Sequence, residues 1–267
     1  MKHKTNRPPT RKRFGQHFLH DKTVIKHMID VIAPLPSEHL VEIGPGHGAL
    51  TLPILKKAGT LDVIELDRDL IPFLKQRCMD KGNVIIHQAD ALSFDYLQLI
   101  KENQPIRLIG NLPYNISTPL IFHLISYASH VKDMHFMLQK EVVDRLAART
   151  ATEHYGRLSI MVQYHCSVQS VFHVRPDAFS PPPRVDSSLV RLVPYHTLPY
   201  LAHDYEQFAL LVKTAFMHRR KTLRNCLKQL ISDEVWEMLP IDPHLRPEQI
   251  SLSEYVKLSN LLEKLAS

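Results

Sequence analysis

Short apolar runs alternate with longer amphipathic segments from about residue 39 onward. Each run holds several Val, Ile or Leu residues, which is typical of strands buried on both faces of a parallel sheet. The intervening segments have the length and spacing of helices. The predicted strands are Leu40–Ile43, Leu61–Leu66, Val84–His87, Ile106–Ile109 and Met134–Leu138, and the predicted helices lie near 49–58, 69–80, 95–103, 117–128 and 140–149. This βαβα rhythm predicts an α/β fold with a Rossmann-like, doubly wound sheet.

The pattern changes near residue 195. Before that point, SVQSVFHV (167–174) and SSLVRLV (187–193) predict two more strands, and the loop between them holds three consecutive prolines. After it, the apolar spacing becomes helical. The predicted helix has a core-facing stripe of Phe216, Leu223, Leu227 and Leu230 and a basic stripe of Lys213, Arg220, Arg224 and Lys228, unless it breaks near His218. We therefore expect a basic arm (1–22), an α/β domain (23–195) and a small all-helical domain (196–267).

Composition excludes several classes of protein. Hydrophobic residues make up 44% of the 267 residues and charged residues 22%, which are ordinary values for a soluble globular protein. No apolar stretch approaches the roughly 20 residues of a membrane span, and the basic N-terminus is not followed by the apolar segment of a secretory signal. Cys78, Cys166 and Cys226 form no CxxC pair and the histidines show no metal-ligand spacing, so we expect no metal site and a reducing, cytoplasmic location.

The net charge of +6 is concentrated in the basic arm. Residues 1–22 hold seven Lys or Arg, among them Arg11, Lys12 and Arg13, against one acid, and that difference equals the whole excess. A second basic segment without acids, 207–232, includes Arg219, Arg220, Lys221 and Arg224. Two basic patches on a near-neutral body favour a polyanionic partner such as nucleic acid, although a solvated tail and a solvated helix face remain the alternative.

The segment Val41-Glu-Ile-Gly-Pro-Gly-His-Gly48 carries a strand into a glycine-rich turn and then into a helix. Glycines at 44 and 46 allow a tight turn and let a ligand approach the main chain. Glu65, at the end of the next strand, can accept hydrogen bonds from both hydroxyls of a ribose. This pair predicts binding of an adenosine-type cofactor, but it also satisfies a loose dinucleotide fingerprint, and a purely structural turn is the other alternative.

Asp90 follows the third predicted strand. In a doubly wound sheet this strand end borders the crevice where ligands bind, and a carboxylate there can accept a hydrogen bond from an adenine amino group. The alternative is that Asp90 caps the helix that follows.

The most informative motif is Asn111-Leu-Pro-Tyr114, which directly follows the fourth strand. The amino nitrogen of adenine is a poor nucleophile because its lone pair is delocalised into the ring. Acceptors around its two N–H bonds, here the side-chain oxygen of Asn111 and the carbonyl of Leu112, favour pyramidal geometry and free the lone pair. Pro113 stiffens the turn, and Tyr114 offers a face for base stacking. The motif predicts in-line methyl transfer from a sulfonium to nitrogen, with positioning supplying most of the catalysis.

Two outer segments fit the same site. Phe179, in AFSPPP, is a candidate second face for a flipped base, with a core phenylalanine as the equal alternative. The segment Phe14-Gly-Gln-His-Phe-Leu19, which contains His17, follows the basic arm and is predicted to close over the cofactor, with simple packing on the domain as the alternative.

Together these segments resemble the ribosomal RNA adenine dimethyltransferase family over nearly the whole chain. The matching motifs are KRFGQHFL, VEIGPGHGALT, VIELD, QADAL, GNLPYNISTPL, MLQKEVVDRL, AFSPPPRVDSSLVRL and AFMHRRKTLRN. They look most like those of the bacterial members that dimethylate two adjacent adenosines in the 3′-terminal hairpin loop of small-subunit rRNA. Loss of that activity gives kasugamycin resistance.

The resemblance implies that residues 23–195 form an S-adenosylmethionine-dependent methyltransferase domain and that 196–267 dock on the assembling small subunit. Nothing in the sequence demands an oligomer. Position 17 is a departure, because the family commonly has asparagine where this chain has a titratable histidine, which could make cofactor affinity depend on pH. The implied cofactor site comprises His17, Leu19, Gly44, Glu65, Asp90 and Asn111, and the implied target site Asn111, Leu112, Pro113, Tyr114 and Phe179.

Four alternatives remain open at this point. A related enzyme that methylates a large-subunit adenine is disfavoured by the FxPPPxV loop and the RRKTLRN segment, and a mitochondrial relative by the short arm. A nicotinamide-dependent oxidoreductase would explain Gly44 and Glu65 but not the Asn111–Tyr114 turn. A non-catalytic ribosome assembly factor would use the same surface only to bind RNA.

Overall fold

A computed structural model describes residues 16–101, 104–218 and 220–266 of the chain. Within these residues nine strands are present, seven of them in one sheet. The strands are β1 (Phe18–Leu19), β2 (His39–Ile43), β3 (Thr60–Glu65), β4 (Asn83–Gln88), β5 (Ile106–Asn111), β6 (Val131–Gln139), β7 (Cys166–Val174), β8 (Phe179–Ser180) and β9 (Ser187–Pro194). The five strands and two later strands predicted from the apolar runs are therefore confirmed.

The same residues hold ten α-helices. They are α1 (Lys22–Ile32), α2 (Thr51–Ala58), α3 (Leu70–Cys78), α4 (Ser117–Ile125), α5 (Lys140–Leu146), α6 (Arg157–His165), α7 (Tyr205–Ala215), α8 (Leu223–Leu227), α9 (Asp233–Trp236) and α10 (Leu252–Ala266). The sequence pattern did not predict α1 or α6. The start of α1 is defined by Asp21, whose Oδ1 accepts hydrogen bonds from the backbone N–H groups of Thr23 (2.8 Å) and Val24 (3.0 Å).

The seven-stranded sheet has the order β4-β3-β2-β5-β6-β9-β7. Strands β2 to β6 are parallel to one another, whereas β9 runs antiparallel to β6. The chain winds outward from β2 in one direction through β3 and β4, and in the other through β5 and β6. Such a reversal of strand order opens a crevice at the carboxyl ends of the two central strands. Here those ends are Ile43 and Asn111, which places the glycine turn and the Asn111–Tyr114 turn at one edge.

Burial explains why the central strands form. All five residues of β2, and all but the first of β3 and the last of β5, are buried, as expected where helices cover both faces of a sheet. Strand β4 lies at the edge of the sheet and exposes Asn83, Ile85 and Gln88. The predicted Rossmann-like α/β class is confirmed by this topology.

The described residues separate into two compact units. The first comprises those up to Val143 together with Gln169–Pro194, and it contains the strands of the crevice. The second comprises Asp144–Val168 and the residues from Tyr195 onward, and it is mainly helical. The sequence placed the boundary at 195 and left 144–168 in the first domain. In the structure this segment joins the helical unit because the ring of Tyr164, on α6, packs 4.9 Å from that of Phe208, on α7.

Two predicted helices differ in the structure. Of the helix expected near 95–103, the described residues up to Lys101 form a 3-10 turn, Tyr96–Leu99, which ends because Ile100 adopts an extended conformation. The helix with apolar and basic stripes is broken, as the sequence allowed near His218: α7 ends at Ala215, a 3-10 turn follows over Phe216–His218, and α8 begins at Leu223. Lys213 and Arg224 therefore lie on different helices, and Leu230 is 42% exposed rather than part of a core stripe.

The three cysteines are buried and form no disulfide. In the part of the chain that the structure describes, no helix combines the length and apolar character needed to cross a bilayer. No group of three or more potential metal ligands occurs among those residues either.

Candidate active site

A cavity lies at the carboxyl edge of the sheet, within the first unit. Its walls come from the turns after β2, β3, β4 and β5, and from the segment around β1. Lining residues include Gly44, Gly46, Glu65, Asp90, Asn111, Leu112, Pro113, Tyr114, His17 and Leu19. The structure thus brings together ten of the residues predicted from separate sequence motifs. Eight of them meet because parallel strands end at the same edge, whereas His17 and Leu19 reach the cavity with β1, which pairs with β8 outside that sheet.

Glycines are required in the turn after β2. Gly44 and Gly46 have φ values of +67° and +55°, a region that residues with a Cβ rarely adopt. A Cβ at Gly44 would meet no atom within 4 Å, so the main chain there faces open space. A Cβ at Gly46 would lie 2.8 Å from the Cε1 atom of Phe18, so this glycine also makes room for the β1 segment. The ring of Phe18 stacks on that of His47 at a centroid distance of 3.8 Å.

Glu65 lies at the end of β3 and is 6% exposed. Its Oε1 accepts a hydrogen bond from the N–H of Asp67 at 2.8 Å, and its Oε2 accepts one from the N–H of Gly46 at 3.2 Å. Burial raises the pKa of Glu65, while these two hydrogen bonds oppose the rise. The carboxylate is therefore held in a fixed orientation at the cavity wall, and it ties the turn after β3 to the glycine turn.

Asp90 is exposed and lines the cavity after β4. Its Oδ1 accepts a hydrogen bond from the N–H of Leu92 at 2.9 Å. Asp90 therefore caps a turn, whereas the sequence had suggested a helix as the alternative. The same hydrogen bond sets the orientation of its carboxylate at the mouth of the cavity.

Asn111 is the last residue of β5, and the turn after it is held by contacts from distant segments. The Nδ2 of Asn111 donates to the backbone carbonyl of His17 at 2.8 Å. The N–H of Leu112 donates to the carbonyl of Met137 at 3.2 Å, and this bond ties the turn to β6. The hydroxyl of Tyr114 shares a hydrogen bond of 2.5 Å with that of Ser187. Burial raises the pKa of Tyr114, so the phenol stays protonated near neutral pH.

His17 contacts both ends of this turn. Its carbonyl receives the Asn111 bond, and its ring lies against that of Tyr114 with centroids 5.5 Å apart and planes inclined by 30°. Its Nδ1 is 2.8 Å from the carbonyl of Pro181, to which it donates. Leu19 is buried and pairs with Phe179 across the β1–β8 ladder. The described part of the predicted closing segment, residues 16–19, thus packs on the domain and at the same time forms one wall of the cavity, while Phe14 and Gly15 lie outside the described residues.

Phe179 is not brought to the cavity. Its side chain is 2% exposed and belongs to the core cluster that includes Leu19, Met28 and Ile109. Of the two roles predicted for Phe179, the structure shows that of a core phenylalanine, because β8 pairs with β1 and the ring faces inward. The stacking role predicted for Phe179 would require the ring to leave the core.

The basic residues predicted to bind RNA differ in their surroundings. Arg220 and Lys221 are exposed. Arg224 is paired with Asp233, with Nε–Oδ1 and Nη2–Oδ1 distances of 2.9 and 2.8 Å, so its charge is partly neutralised. Arg11, Lys12, Arg13 and Arg219 lie outside the described residues.

Two residues that bear on the site were not predicted from the sequence: Glu42, which lines the cavity, and Ser187, which supports Tyr114 from behind it. Glu42 is 2% exposed on β2, and its Oε2 accepts a hydrogen bond from the hydroxyl of Thr51 at 2.6 Å. Burial raises the pKa of Glu42 to about 8, and the nearby charge of Glu65 acts in the same direction. An acidic residue inside an otherwise apolar strand was the available signal for Glu42. For Ser187 no local signal exists, since its partner lies 73 residues away.

The chain is similar to known RNA-modifying proteins over nearly its whole length. A family model described as "Ribosomal RNA adenine dimethylase" matches residues 8–264. A protein of Pseudomonas savastanoi pv. phaseolicola named Ribosomal RNA small subunit methyltransferase A is 54% identical over 254 residues, which is 95% of each chain. Among solved structures, a dimethyladenosine transferase from Plasmodium falciparum is 27% identical and covers 94% of this chain and 98% of its own, with a TM-score of 0.75.

A second solved structure shares the fold at lower identity. The 23S rRNA methyltransferase ErmE is 20% identical, with a TM-score of 0.72 and coverage of 94% of this chain and 100% of its own. The fold by itself therefore does not distinguish between a small-subunit and a large-subunit target.

Proposed function

Since the chain belongs to the ribosomal RNA adenine dimethylase family, we propose that it transfers methyl groups from S-adenosylmethionine to N6 amino groups of adenosines in small-subunit rRNA. The product is N6,N6-dimethyladenosine. The proposed targets are the two adjacent adenosines of the 3′-terminal hairpin loop, modified in the cytoplasm during late assembly of the subunit.

The observation that carries this proposal is the orientation of Asn111. Because Nδ2 is engaged by the carbonyl of His17, Oδ1 is left as the acceptor that this side chain can present to a ligand. With the carbonyl of Leu112, it provides the two acceptors that an amino group with two N–H bonds requires. Tyr114, three residues on, supplies the ring on which the base stacks.

The residues around the glycine turn fit an adenosine-type cofactor. The main chain at Gly44 faces open space, the buried carboxylate of Glu65 is fixed for hydrogen bonds from ribose hydroxyls, and Asp90 presents a carboxylate at the adenine end. When bound, S-adenosylmethionine supplies an electrophilic methyl group on a positively charged sulfur. His17 and Leu19 cover the site from the side of β1.

The protein acts on the target mainly by orientation. Asn111 Oδ1 and the Leu112 carbonyl accept hydrogen bonds from the two N6 protons and turn the nitrogen lone pair toward the methyl group. Transfer places positive charge on N6, and the same two acceptors stabilise that charge until a proton leaves. Pro113 keeps the two acceptors at a fixed separation, because its ring restricts the backbone.

The choice of the small subunit rests on sequence similarity rather than on the fold. The relative named for the small subunit is 54% identical over 95% of both chains, whereas the large-subunit enzyme shares 20% identity. The exposed side chains of Arg220 and Lys221 supply positive charge for contact with rRNA phosphates.

The test is transfer of labelled methyl from S-adenosylmethionine to small subunits from a strain that lacks the modification. Fully modified small subunits and naked large-subunit rRNA are the controls. We expect label only on the undermethylated subunits, recovered as dimethyladenosine. Label on the large-subunit RNA alone would show that the substrate is large-subunit rRNA and not the proposed small subunit. Cofactor binding without any transfer would favour an assembly factor that only binds RNA.

A further inference from the structure

Strand β9 brings a residue to the catalytic edge from a distant part of the chain. The parallel strands end at this edge, but β9 is antiparallel to β6, so its first residue lies there instead of its last. That residue is Ser187, which pairs with Gln139 at the end of β6 and is fully buried.

The hydroxyl of Ser187 holds the far end of Tyr114. The two oxygens are 2.5 Å apart, and the Tyr114 ring is additionally contacted by the His17 ring. The backbone carbonyl of Tyr114 accepts a hydrogen bond from the hydroxyl of Ser117 at 3.1 Å. The ring is thus restrained at its base by the turn, on its surface by His17 and at its tip by Ser187.

We propose that Ser187 is a positioning residue for methyl transfer, because its hydroxyl fixes the position of the Tyr114 ring against which the target adenine stacks. This inference rests on the proposed function, in which Tyr114 touches the base. Ser187 itself touches neither base nor cofactor in this proposal.

The hydrogen bond between Ser187 and Tyr114 affects the alignment of the target base. A tyrosine ring turns about two side-chain bonds. The hydroxyl oxygen lies on the axis of the second bond, so the hydrogen bond to Ser187 fixes χ1 and the position of the ring tip, while the stacked ring of His17 limits rotation about χ2. Methyl transfer needs the N6 lone pair in line with the departing sulfur, so a small tilt of the stacked base slows the reaction. The affinity for the whole RNA depends largely on phosphate contacts elsewhere and changes little. Loss of the Ser187 hydroxyl should therefore act on the transfer step and not on RNA or cofactor binding.

The neighbouring residue provides a matched control. Ser188 is also fully buried in β9, but its hydroxyl donates to the carbonyl of Phe172 at 3.0 Å. Its other hydrogen-bond partners, Ser170 and His173, also belong to β7 and not to the turn after β5. Ser187→Ala and Ser188→Ala each remove one buried hydroxyl from the same strand. A general loosening of the strand would affect both variants, whereas positioning of Tyr114 would affect only the first.

The experiment measures single-turnover methyl transfer to undermethylated small subunits, together with dissociation constants for the subunit and for S-adenosylmethionine. Rates are normalised to the fraction of enzyme that binds cofactor. We expect Ser187→Ala to lower the transfer rate about three- to tenfold, the range of one neutral hydrogen bond, with both dissociation constants within about twofold. Ser188→Ala should transfer at the wild-type rate.

Tyr114→Phe breaks the same bond from the other side and leaves β9 unchanged, so the proposal stays testable if Ser187→Ala does not fold. It should reproduce the slower transfer, and adding Ser187→Ala to it should cause no further loss. Wild-type transfer by Ser187→Ala, equal losses in both serine variants, or additive losses in the double variant would each overturn the positioning role. Absence of transfer by the wild-type enzyme would instead overturn the proposed function.

Discussion

The side-chain amide of Asn111 donates a hydrogen bond to the backbone carbonyl of His17 across 94 residues of sequence, at 2.8 Å. This bond couples the closing segment before α1 to the end of β5. It also selects the amide orientation in which Oδ1 is available to a ligand, since a carbonyl oxygen can accept only from the amide nitrogen. The segment that covers the cavity therefore also prepares the acceptor that the proposed reaction needs.

Asn111→Asp tests this coupling. The variant replaces the donor with a carboxylate oxygen facing the His17 carbonyl, so the two oxygens repel and the acceptor rotates away. We expect methyl transfer to fall by about 100-fold or more, comparable to loss of a preorganised catalytic donor in other enzymes. The unfolding midpoint should change little because Asn111 is only partly buried. Asn83→Asp, the same change at an exposed position of β4, is the control, and equal activity of the two variants would contradict the assignment.

Glu65→Ala should weaken the cofactor far more than the RNA. Removing the carboxylate deletes the proposed ribose acceptor and frees the N–H of Gly46, to which it is bonded at 3.2 Å. Hydrogen bonds to charged groups contribute roughly 1.5–3 kcal/mol, so the dissociation constant for S-adenosylmethionine should rise about 10- to 100-fold. Calorimetric titration with cofactor and filter binding of RNA measure the two affinities. An equal loss of both would undercut the ribose assignment, and Glu141→Ala, at an exposed site, should alter neither.

Glu42 should make the stability of the protein depend on pH. The folded-state pKa is about 8 against an ordinary value of 4.5, because burial disfavours the carboxylate and the nearby charge of Glu65 adds to the rise, while the hydrogen bond from Thr51 opposes it. Between these two pH values the folded protein keeps a proton that the unfolded chain has released. The Glu42 contribution to the free energy of unfolding therefore falls as pH rises from about 4.5 to about 8, by up to about 1.4 kcal/mol per pH unit.

Glu42→Gln removes that titration while keeping an amide that can accept from Thr51. Urea unfolding at intervals between pH 5 and pH 8 should show a shallower decline for this variant than for the wild type. Glu141→Gln should follow the wild-type curve because its side chain is exposed. Parallel curves for all three proteins would mean that Glu42 is not protonated in the folded state.

The exposed cations of the second unit should contribute unequally to RNA binding. Arg220 and Lys221 are exposed, whereas Arg224 already pairs with Asp233. Arg220→Glu combined with Lys221→Glu should weaken small-subunit binding and lower the slope of log affinity against log salt by about 2, while cofactor affinity stays unchanged. Arg224→Glu should have a smaller effect.

A charge-matched control is Lys75→Glu with Lys81→Glu in the first unit, since both side chains are exposed. Its affinity should stay closer to that of the wild type than the affinity of the Arg220 and Lys221 variant. If the two double variants lose affinity and salt dependence equally, net charge rather than a docking face governs binding.

The sequence alone determined the sheet and most of the cavity wall. Apolar runs such as Leu40–Ile43 predict buried strands because burial on both faces removes the need for alternation, and the bounds differ from the structure by only a few residues. Glycines at 44 and 46, Glu65, Asp90 and Asn111 were predicted to meet because parallel strands end at one edge. Only the direction of the strands is needed for this prediction. A helical segment between two strands makes them parallel, because it returns the chain to the edge where the first strand began.

Only the tertiary structure decided which side chains meet across distant segments. The bonds of Asn111 to His17 and of Tyr114 to Ser187 span 94 and 73 residues, and local patterns carry no information about such partners. Phe179 is apolar whether it stacks on a base or fills the core, so its burial follows from the pairing of β8 with β1 and not from its own sequence. Hydrophobic periodicity specifies which face of an element is buried, whereas the partner on that face is set by packing of the whole chain.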